Sequence, residues 1–504
     1  MVAKNAVLTT WPAVFLSDTA TSAKVSKAVK RGELVKIGPR LYTSKVEEAP
    51  ERVVSLHLWE ILRLLYSGSV VGYRSALHAK PTPEGKMFLV GAYPRTDKLP
   101  GATVRVLKGP GPLPGDIPYG GGMYLASPAR ALLECLSGKR ITAESPTLAR
   151  AELEAFVERR IRTAGERWAN EVRDRARKIA PDLGLEEEAE YLRRMIGAML
   201  GTVRAALTAP AAVARAAGAP YDADRVARFD RLVEALRDYP IPHREDRDLS
   251  GEPFYNLAFF DAYFSNYIEG TRFPVGDARE IVFEGKIPVQ RVKDAHDVIG
   301  TYRVLSSRHE MFVSTSEWIE RPQLFLDVLR ERHRMMMQER PEVRPGEFKD
   351  VQNQAGDTLF VDPGLVESTL TEGLWRLALL DRAFQRAVFM MFLVSEVHPF
   401  DDGNGRLARA MMNAELVSQG ERRILIPTAY RIDYMGALRR LTRQDDPSVL
   451  LRALDRAQDF THRIDFADYE RARATLETYG AFGEGEEARI RMPPKRGSQD
   501  VVAG

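Results

Sequence analysis

The twelve residues from His398 to Arg409 hold several groups that can do chemistry together, in the order His-Pro-Phe-Asp-Asp-Gly-Asn-Gly-Arg-Leu-Ala-Arg. They combine one imidazole, two adjacent carboxylates, two glycines around an asparagine, and two arginines three residues apart. Guanidinium groups donate in pairs to phosphate oxygens, and an imidazole with an ordinary pKa of about 6.5 accepts a proton at neutral pH. The set therefore predicts a site that binds a polyphosphate and takes a proton from an attacking group.

The flanking sequence predicts where this peptide lies in the fold. The segment before it, Leu374 to Val397, is rich in apolar and helix-forming residues, and the segment after it, Leu407 to Ser418, has a helical pattern that stops at Gly420. We therefore expect a loop that opens a helix. Backbone N–H groups at such a helix start point toward an anion, and the helix dipole adds about half a positive charge.

The pattern H-x-F-x-[D/E]-G-N-G-R-x-x-R resembles the signature of the Fic family of nucleotidyl transferases, and this sequence matches every fixed position. The resemblance implies a helical fold that transfers AMP from ATP, with Mg²⁺, to a Ser, Thr or Tyr hydroxyl of a target protein. It implies these roles: His398 as the general base, Asp402 as the Mg²⁺ ligand, Gly403, Asn404 and Gly405 around the α-phosphate, Arg406 and Arg409 on the β- and γ-phosphates, and Phe400 as the anchor of the loop.

A second string, Ser265-Asn-Tyr-Ile-Glu269-Gly270, resembles the inhibitory motif [S/T]-x-x-x-E-[G/N] of autoinhibited Fic proteins. In that class an inhibitory helix, expected here near residues 258–270, precedes the Fic core. The resemblance implies that Glu269 pairs with Arg409 and takes the place of the γ-phosphate, since one carboxylate and one phosphate compete for the same guanidinium. The alternative is an ordinary surface glutamate at a helix end.

Between the two motifs, the Pro-Gly start and short alternating runs of residues 344–362 predict a hairpin. This segment resembles the Fic flap, whose edge pairs with the backbone of the target. Downstream, Tyr430 and Tyr434 occupy positions where the family has aromatic or apolar residues near the adenine. Either a nucleotide contact or a place in the core is consistent with these two tyrosines.

The N-terminal segment is locally basic. Between Ala20 and Thr43 it carries Lys24, Lys27, Lys30 and Arg31, and a helix-like run is followed by an alternating run. This layout resembles the winged helix-turn-helix of AbiEi-type antitoxins, and the region that follows resembles the rest of that family. The four basic side chains predict contacts with DNA phosphates or base edges. A winged helix that serves only protein contacts is the alternative.

The composition of the chain limits which bonds, metal sites and cellular locations are expected. The chain has 504 residues, 44% of them hydrophobic, a net charge of +3 and a single cysteine, Cys135. An intrachain disulfide and a cysteine-based zinc site are therefore excluded, and Cys135 is expected to be buried. No secretion signal or membrane-spanning run is recognised, which predicts a cytoplasmic protein. Self-association is an open possibility.

These signals predict a mainly helical protein with a small α+β part at the start. The expected domains are a winged helix (1–50), an AbiEi-like α+β region (51–145), a helical connector (146–240), the Fic domain (241–470), and a C-terminal extension (471–504) with a disordered end. The favoured function is an autoinhibited protein adenylyltransferase. The alternatives are a phosphotransferase, an enzyme that removes AMP, a donor other than ATP, and a DNA-binding regulator or antitoxin with a silenced or nucleotide-sensing Fic domain.

Overall fold

The structure is a computed structural model that describes residues 11–138, 142, 144–240, 243–313, 316–485 and 488–494. The chain forms two compact units, residues 1–220 and residues 221–504. Helices predominate, with sheets in the first unit and a short hairpin in the second. The predicted fold class is therefore confirmed. None of the helices in the described ranges is long and apolar enough to cross a membrane.

The first unit is an α+β unit. Its strands are β1 (Val14–Leu16), β2 (Val35–Gly38), β3 (Leu41–Thr43), β4 (Val70–Val71), β5 (Lys86–Gly91), β6 (Arg95–Leu99), β7 (Ala102–Lys108), β8 (Ile117–Gly120) and β9 (Met123–Leu125). Its helices are α1 (Ser22–Lys30), α2 (Pro50–Leu56), α3 (Leu58–Leu65), α4 (Tyr73–His78), α5 (Pro128–Leu136), α6 (Arg150–Leu183), α7 (Glu186–Met199) and α8 (Pro210–Ala216).

The start of the first unit agrees with the expected winged helix only in part. Helix α1 is followed by the antiparallel pair β2 and β3, as predicted, and β1 adds a third strand beside β3. Within residues 11–49, however, α1 is the single helix, so the helix pair of a helix-turn-helix is not present there. The first ten residues of this predicted domain lie outside the described residues.

The remainder of the first unit is a six-stranded sheet with the order β6-β7-β5-β4-β9-β8. Strand β5 carries a run of buried apolar residues and pairs in parallel with β7, which is typical of a strand covered on both faces. Helices α5, α6 and α7 pack around a hydrophobic core that includes Leu132, Val157 and Leu192. Cys135 is buried in this core, as predicted, and burial raises the pKa of its thiol.

The second unit is a helical assembly. Its helices are α9 (Ala223–Asp238), α10 (Gly251–Ile268), α11 (Val275–Glu284), α12 (Val292–Ser306), α13 (Arg308–Met311), α14 (Ser316–Glu320), α15 (Pro322–Met337), α16 (Val366–Leu377), α17 (Ala383–Val397), α18 (Asn404–Ser418), α19 (Arg431–Gln444), α20 (Ser448–His462) and α21 (Tyr469–Thr478). The predicted hairpin is formed by β10 (Gln354–Ala355) and β11 (Thr358–Leu359).

Two helices at the centre of this unit position the candidate site. Helix α17 is buried around almost its whole circumference, and α18, which packs along it, is buried from Asn404 to Val417 except at Gly405. A helix that is apolar on all sides is stable only inside a larger helical assembly. Helix α10 packs beside them and contributes Phe259, Phe260 and Phe264 to the core. The loop between α17 and α18 is therefore held by rigid elements at both ends.

One part of the expected domain layout differs from the structure. The predicted connector, residues 146–240, is divided between the units, because the chain turns after Gly218 and α9 then packs against α16 and α17. Within the predicted C-terminal extension, residues 488–494 pack against the unit, since Ile490 is buried in the core beside α10 and α21. Residues 495–504, where the disordered end was expected, lie outside the described residues.

Candidate active site

The sequence motif folds into a tight connection between two helices. Helix α17 ends at Val397, and His398 follows it in the left-handed region, at φ 55° and ψ 60°. Gly403, also left-handed at φ 74°, is the N-cap of α18, which begins at Asn404. The loop predicted at the start of a helix is therefore present, and we call residues 398–403 the motif loop. Its last residues and the first turn of α18 present backbone N–H groups without intrahelical partners, as an anion requires.

The imidazole of His398 is fixed in place and largely shielded from water. Phe360 lies flat on it, with ring centroids 3.8 Å apart and planes 6° apart. Its Nδ1 is 3.3 Å from the carbonyl oxygen of Ser395. Because a carbonyl can only accept, Nδ1 carries the proton and Nε2 is left as a proton acceptor. Burial lowers the pKa of His398 to about 4, so the ring is neutral at pH 7.

Asn404 holds the motif loop closed. Its Oδ1 accepts from the N–H of Phe400 at 2.8 Å, and its Nδ2 donates to the carbonyl of the same residue at 2.8 Å. Phe400 is fully buried and stacks on the ring of His333, with centroids 3.8 Å apart. Phe400 thus anchors the loop, as expected. The side chain of Asn404 is occupied by this clamp, which leaves its backbone N–H for a bound phosphate.

A buried network surrounds the side chain of Arg406. Its guanidinium forms an ion pair with Asp297 at 2.7 Å and lies 3.4 Å from Oδ1 of Asp402. Asp297 also accepts two bonds from Arg340, at 2.9 and 3.0 Å, and Arg340 lies 3.6 Å from the other oxygen of Asp402. Asp402 is the member of this group that reaches solvent, with 46% of its side chain exposed. The pairing with Asp297 was not predicted from the sequence.

Arg409 meets the inhibitory motif in the core of the site. Its NH2 group donates to Oε1 of Glu269 at 2.6 Å, and its Nε donates to Oγ of Ser265 at 2.9 Å. Burial opposes the charge of Arg409, but Glu269 and Tyr434 together more than offset this and raise its pKa. The contact that the resemblance implied between Glu269 and Arg409 is therefore present. Gly270 follows in the left-handed region, at φ 100°.

Gly405 is the reason that Glu269 can come so close to the helix start. A Cβ atom at position 405 would lie 2.1 Å from Oε1 of Glu269. The carboxylate therefore rests against the first turn of α18, beside the backbone N–H groups that would bind a phosphate.

The hairpin, with its flanking residues 344–362, covers the motif loop and is called the flap here. At its start, Arg344 forms a double ion pair with Asp401, at 2.9 and 3.1 Å. On its other side, Arg225 of α9 donates to the carbonyl of Leu359 and also pairs with the buried carboxylate of Glu396. The flap is thus tied to the motif loop and to the helical core by charged groups.

The other predicted residues lie in two places. Tyr434 is buried, with its ring 6.0 Å from the guanidinium of Arg409, so it belongs to the core behind the site. In the first unit, the side chains of Lys24, Lys27 and Lys30 are exposed on α1. Arg31 is also exposed but pairs with Glu33 at 2.7 Å, which partly satisfies its charge.

Sequence reasoning missed the residues that support the site. They are Asp297, His333, Arg340, Lys349, Asn353 and Phe360. They come from α12, from α15 and the turn after it, and from the flap, and no spacing rule links them to the motif. The sequence contained a weak signal for the flap, where Lys349 and Asn353 stand four residues apart with the apolar Val351 between them.

Known proteins resemble part of this chain. Residues 323–416 match the family model described as the Fic/DOC family. Protein adenylyltransferase fic-1 of Caenorhabditis elegans is 26% identical over 213 residues, which are 41% of this chain and 41% of the relative. Protein adenylyltransferase Fic of Nematostella vectensis is 27% identical over 193 residues, which are 37% of this chain and 44% of the relative. The chain thus matches less than half the length of these curated relatives.

A solved structure of Fic-1 (residues 134–508) from C. elegans aligns with 66% of this chain and 90% of its own length, at 19% identity and a TM-score of 0.34. The family match covers α15, the flap, α16, α17, the motif loop and most of α18, so it contains every residue of the motif. Glu269 and Ser265 lie outside it. The chain therefore contains a Fic domain, and the matched residues include the motif loop with His398 and the first turns of α18.

Proposed function

We propose that the protein is an adenylyltransferase that transfers AMP from ATP to a hydroxyl group of a target protein, and that Glu269 restrains it. The contact of 2.6 Å between Glu269 and Arg409 carries this proposal, because Arg409 belongs to the matched Fic motif and the carboxylate of Glu269 would compete with a phosphate for its guanidinium. The names of the curated relatives support the chemistry, and the geometry of His398 supports its role as the base.

The proposed reaction uses the free nitrogen of His398. The hydroxyl oxygen of the target attacks the α-phosphorus, the bond from that phosphorus to the β-bridging oxygen breaks, and pyrophosphate leaves. The hydroxyl proton passes to Nε2 of His398. The Nδ1 contact with Ser395 holds the required tautomer, and the stacked ring of Phe360 keeps water away from one face of the imidazole.

The residues present fit a magnesium ion that is bound together with the nucleotide. In the described part of the chain, no group of three or more His, Cys, Asp or Glu side chains is arranged to hold a metal by itself. Mg²⁺ in nucleotide sites takes one or two carboxylates and several phosphate oxygens. Asp402, half exposed beside the helix start, fits the role of the protein ligand. The ion would neutralise charge on the phosphates.

The restraint follows from competition for one guanidinium. Arg409 is 3% exposed and already has Glu269 and Ser265 as partners, so a γ-phosphate gains it only when Glu269 withdraws. Charge-assisted hydrogen bonds of this kind contribute about 1.5–3 kcal/mol. Removing the carboxylate should therefore raise AMP transfer by roughly 10- to 100-fold, since about 1.4 kcal/mol corresponds to a factor of ten.

The test is transfer of label from ATP to protein with Mg²⁺, using the Glu269→Gly variant in a cell lysate. Parallel reactions carry the label on the α-phosphate or on the γ-phosphate. We expect label from the α-position, lost again in Glu269→Gly/His398→Ala. The matched control is Glu252→Gly, which removes an exposed glutamate from the first turn of the same helix and should leave transfer at the level of the unmodified protein.

Other outcomes would replace the proposal. Label from the γ-position would mean kinase chemistry. No label from either position would favour removal of AMP, another nucleotide donor, or a regulator in which the Fic domain is silent. In that last case the first unit would carry the function, and its exposed lysines make DNA the partner that we propose for it.

A further inference from the structure

The flap hairpin continues by one more pair of residues toward the motif loop. Below β10 and β11, the N–H of Phe360 donates to the carbonyl of Asn353 at 3.2 Å. Asn353 and Phe360 therefore form a closing rung of the hairpin. Any change in the pairing of the two strands moves both residues together.

Both members of this rung hold the motif loop. The Nδ2 group of Asn353 donates to the carbonyl of Phe400 at 2.9 Å and approaches the carbonyl of His398 at 3.4 Å. Phe360 holds the side chain of His398, because its ring lies flat on the imidazole. The backbone and the ring of His398 are thus set by one rung of the flap.

Lys349 decides which way the amide of Asn353 points. Its Nζ donates to Oδ1 of Asn353 at 2.7 Å. An ammonium group can only donate, so the oxygen of the amide must face it and the NH₂ group must face the two carbonyls. The N–H of Lys349 also donates to the carbonyl of Pro399 at 2.9 Å, and its side chain is buried.

We propose that Asn353, with its amide oriented by Lys349, is a positioning residue that sets His398 for proton transfer. This inference rests on the proposed adenylyltransferase function.

The charged groups around His398 influence its pKa, which can be measured independently of activity. The imidazole of His398 faces three charged groups: Lys349 in the flap, Glu269 at the end of α10 and Asp402 in the motif loop. Burial is the largest influence on its pKa, and the positive charge of Lys349 lowers it further. Burial lowers the pKa of Lys349 itself to about 8.

The test measures AMP transfer in the Glu269→Gly background with Asn353→Ala, Lys349→Met and Lys349→Arg added. For Asn353→Ala and Lys349→Met we expect kcat to fall about 10- to 100-fold with KM for ATP changed less than about 3-fold, since a misplaced group costs about that much in rate. Lys349→Arg keeps the positive charge and a hydrogen-bond donor, so its kcat should fall less than that of Lys349→Met. Gln352→Ala is the matched control, because the exposed side chain of Gln352 bonds to the backbone carbonyl of Phe360, on the same rung, but has no bond to the motif loop.

A second measurement is independent of activity. The titration of the His398 imidazole is followed by NMR and identified by its absence in His398→Ala. In Asn353→Ala and Lys349→Met its pKa should rise from about 4 toward the ordinary value, and in Gln352→Ala it should not change. Asn353→Ser, which also loses both carbonyl contacts, should repeat the result of Asn353→Ala, and circular dichroism checks that each variant is folded.

The two measurements separate the possible failures. If Glu269→Gly transfers no AMP, the proposed function fails, and the titration alone still tests the hold on His398. A kcat within two-fold of the Glu269→Gly parent, together with an unchanged titration, would overturn the positioning role. A fall in kcat that Gln352→Ala shares would overturn it as well, because it would reflect the flap in general.

Discussion

Glu269 occupies the space that any side chain on Gly405 would need. The distance of 2.1 Å between Oε1 and an ideal Cβ means that Gly405→Ala must displace the carboxylate from Arg409. With Glu269→Gly in place, the nearest atom is the end of the Arg409 guanidinium, at 3.3 Å, and alanine then gains its helix propensity of about 1 kcal/mol over glycine. The two substitutions should therefore be coupled by about 1–2 kcal/mol.

Urea unfolding of the four proteins in this cycle measures that coupling. We expect Gly405→Ala to lower the free energy of unfolding of the unmodified chain and to leave or raise that of Glu269→Gly. Additive effects would show that the carboxylate does not rest against the helix start. As a control, Gly436→Ala lies in α19 with open space around its Cβ position and should show no coupling.

Acid should weaken the fold through the two buried imidazoles of the site. Burial lowers the pKa of both His333 and His398 to about 4, whereas in the unfolded chain their pKa is about 6.5. Between these values the unfolded chain binds more protons, so this part of the stability is complete above about pH 6.5 and is lost as the pH falls toward 4. From pH 7 to pH 5 each group should cost about 2 kcal/mol.

The His333→Asn variant isolates one of these contributions. Its free energy of unfolding should fall less between pH 7 and pH 5 than that of the unmodified chain, by about 2 kcal/mol. Urea unfolding at the two pH values measures the difference. His309→Asn, at a side chain that is 87% exposed, should show the same fall as the unmodified chain. Equal falls in both variants would contradict the buried, neutral state of His333.

Asn404 should be more important for stability than its place in a phosphate-binding motif suggests. Asn404→Asp removes the donor to the carbonyl of Phe400 and places a charge beside it, so we expect a loss of about 1–3 kcal/mol. Asn256→Asp removes a comparable bond, at 3.0 Å to the carbonyl of Phe466, but at a half-buried side chain, where the loss should stay below about 1 kcal/mol. Thermal unfolding compares the two variants, and equal shifts would speak against the clamp.

If the first unit binds DNA, the three exposed lysines of α1 should determine the salt dependence. Val25 and Ala28 are buried on one side of the helix, and Lys24, Lys27 and Lys30 project from the other. Each lysine that contacts a phosphate adds about 0.9 to the slope of log affinity against log salt concentration. Fluorescence anisotropy with a DNA duplex at several salt concentrations should show this slope reduced in the triple Lys→Gln variant and unchanged in Lys80→Gln, an exposed lysine outside α1.

The sequence predicted those parts of the site that are formed by residues close together in the chain. The motif loop and the start of α18 follow from twelve contiguous residues with two glycines at the needed places, and the contact between Glu269 and Arg409 followed from a resemblance. The ion pair of Asp297 with Arg406 did not follow, because the two residues are far apart in the chain and only the packing of α12 brings them together. The same holds for His333, which donates to the carbonyl of Asp402. Partners across a helical core depend on the packing of whole helices, which no spacing rule contains.

The carbonyl groups of the motif loop have a consequence for the binding of an anion. The carbonyl oxygens of His398, Pro399, Phe400 and Asp402 all accept hydrogen bonds from side chains or backbone groups of the flap, α15 and α18. A carbonyl without a donor would turn its partial negative charge toward any nearby phosphate and repel it. Here each of these four dipoles is compensated by a donor of the protein itself. The backbone of the loop therefore offers amide hydrogens to an anion, while these four carbonyl oxygens are already bonded within the protein.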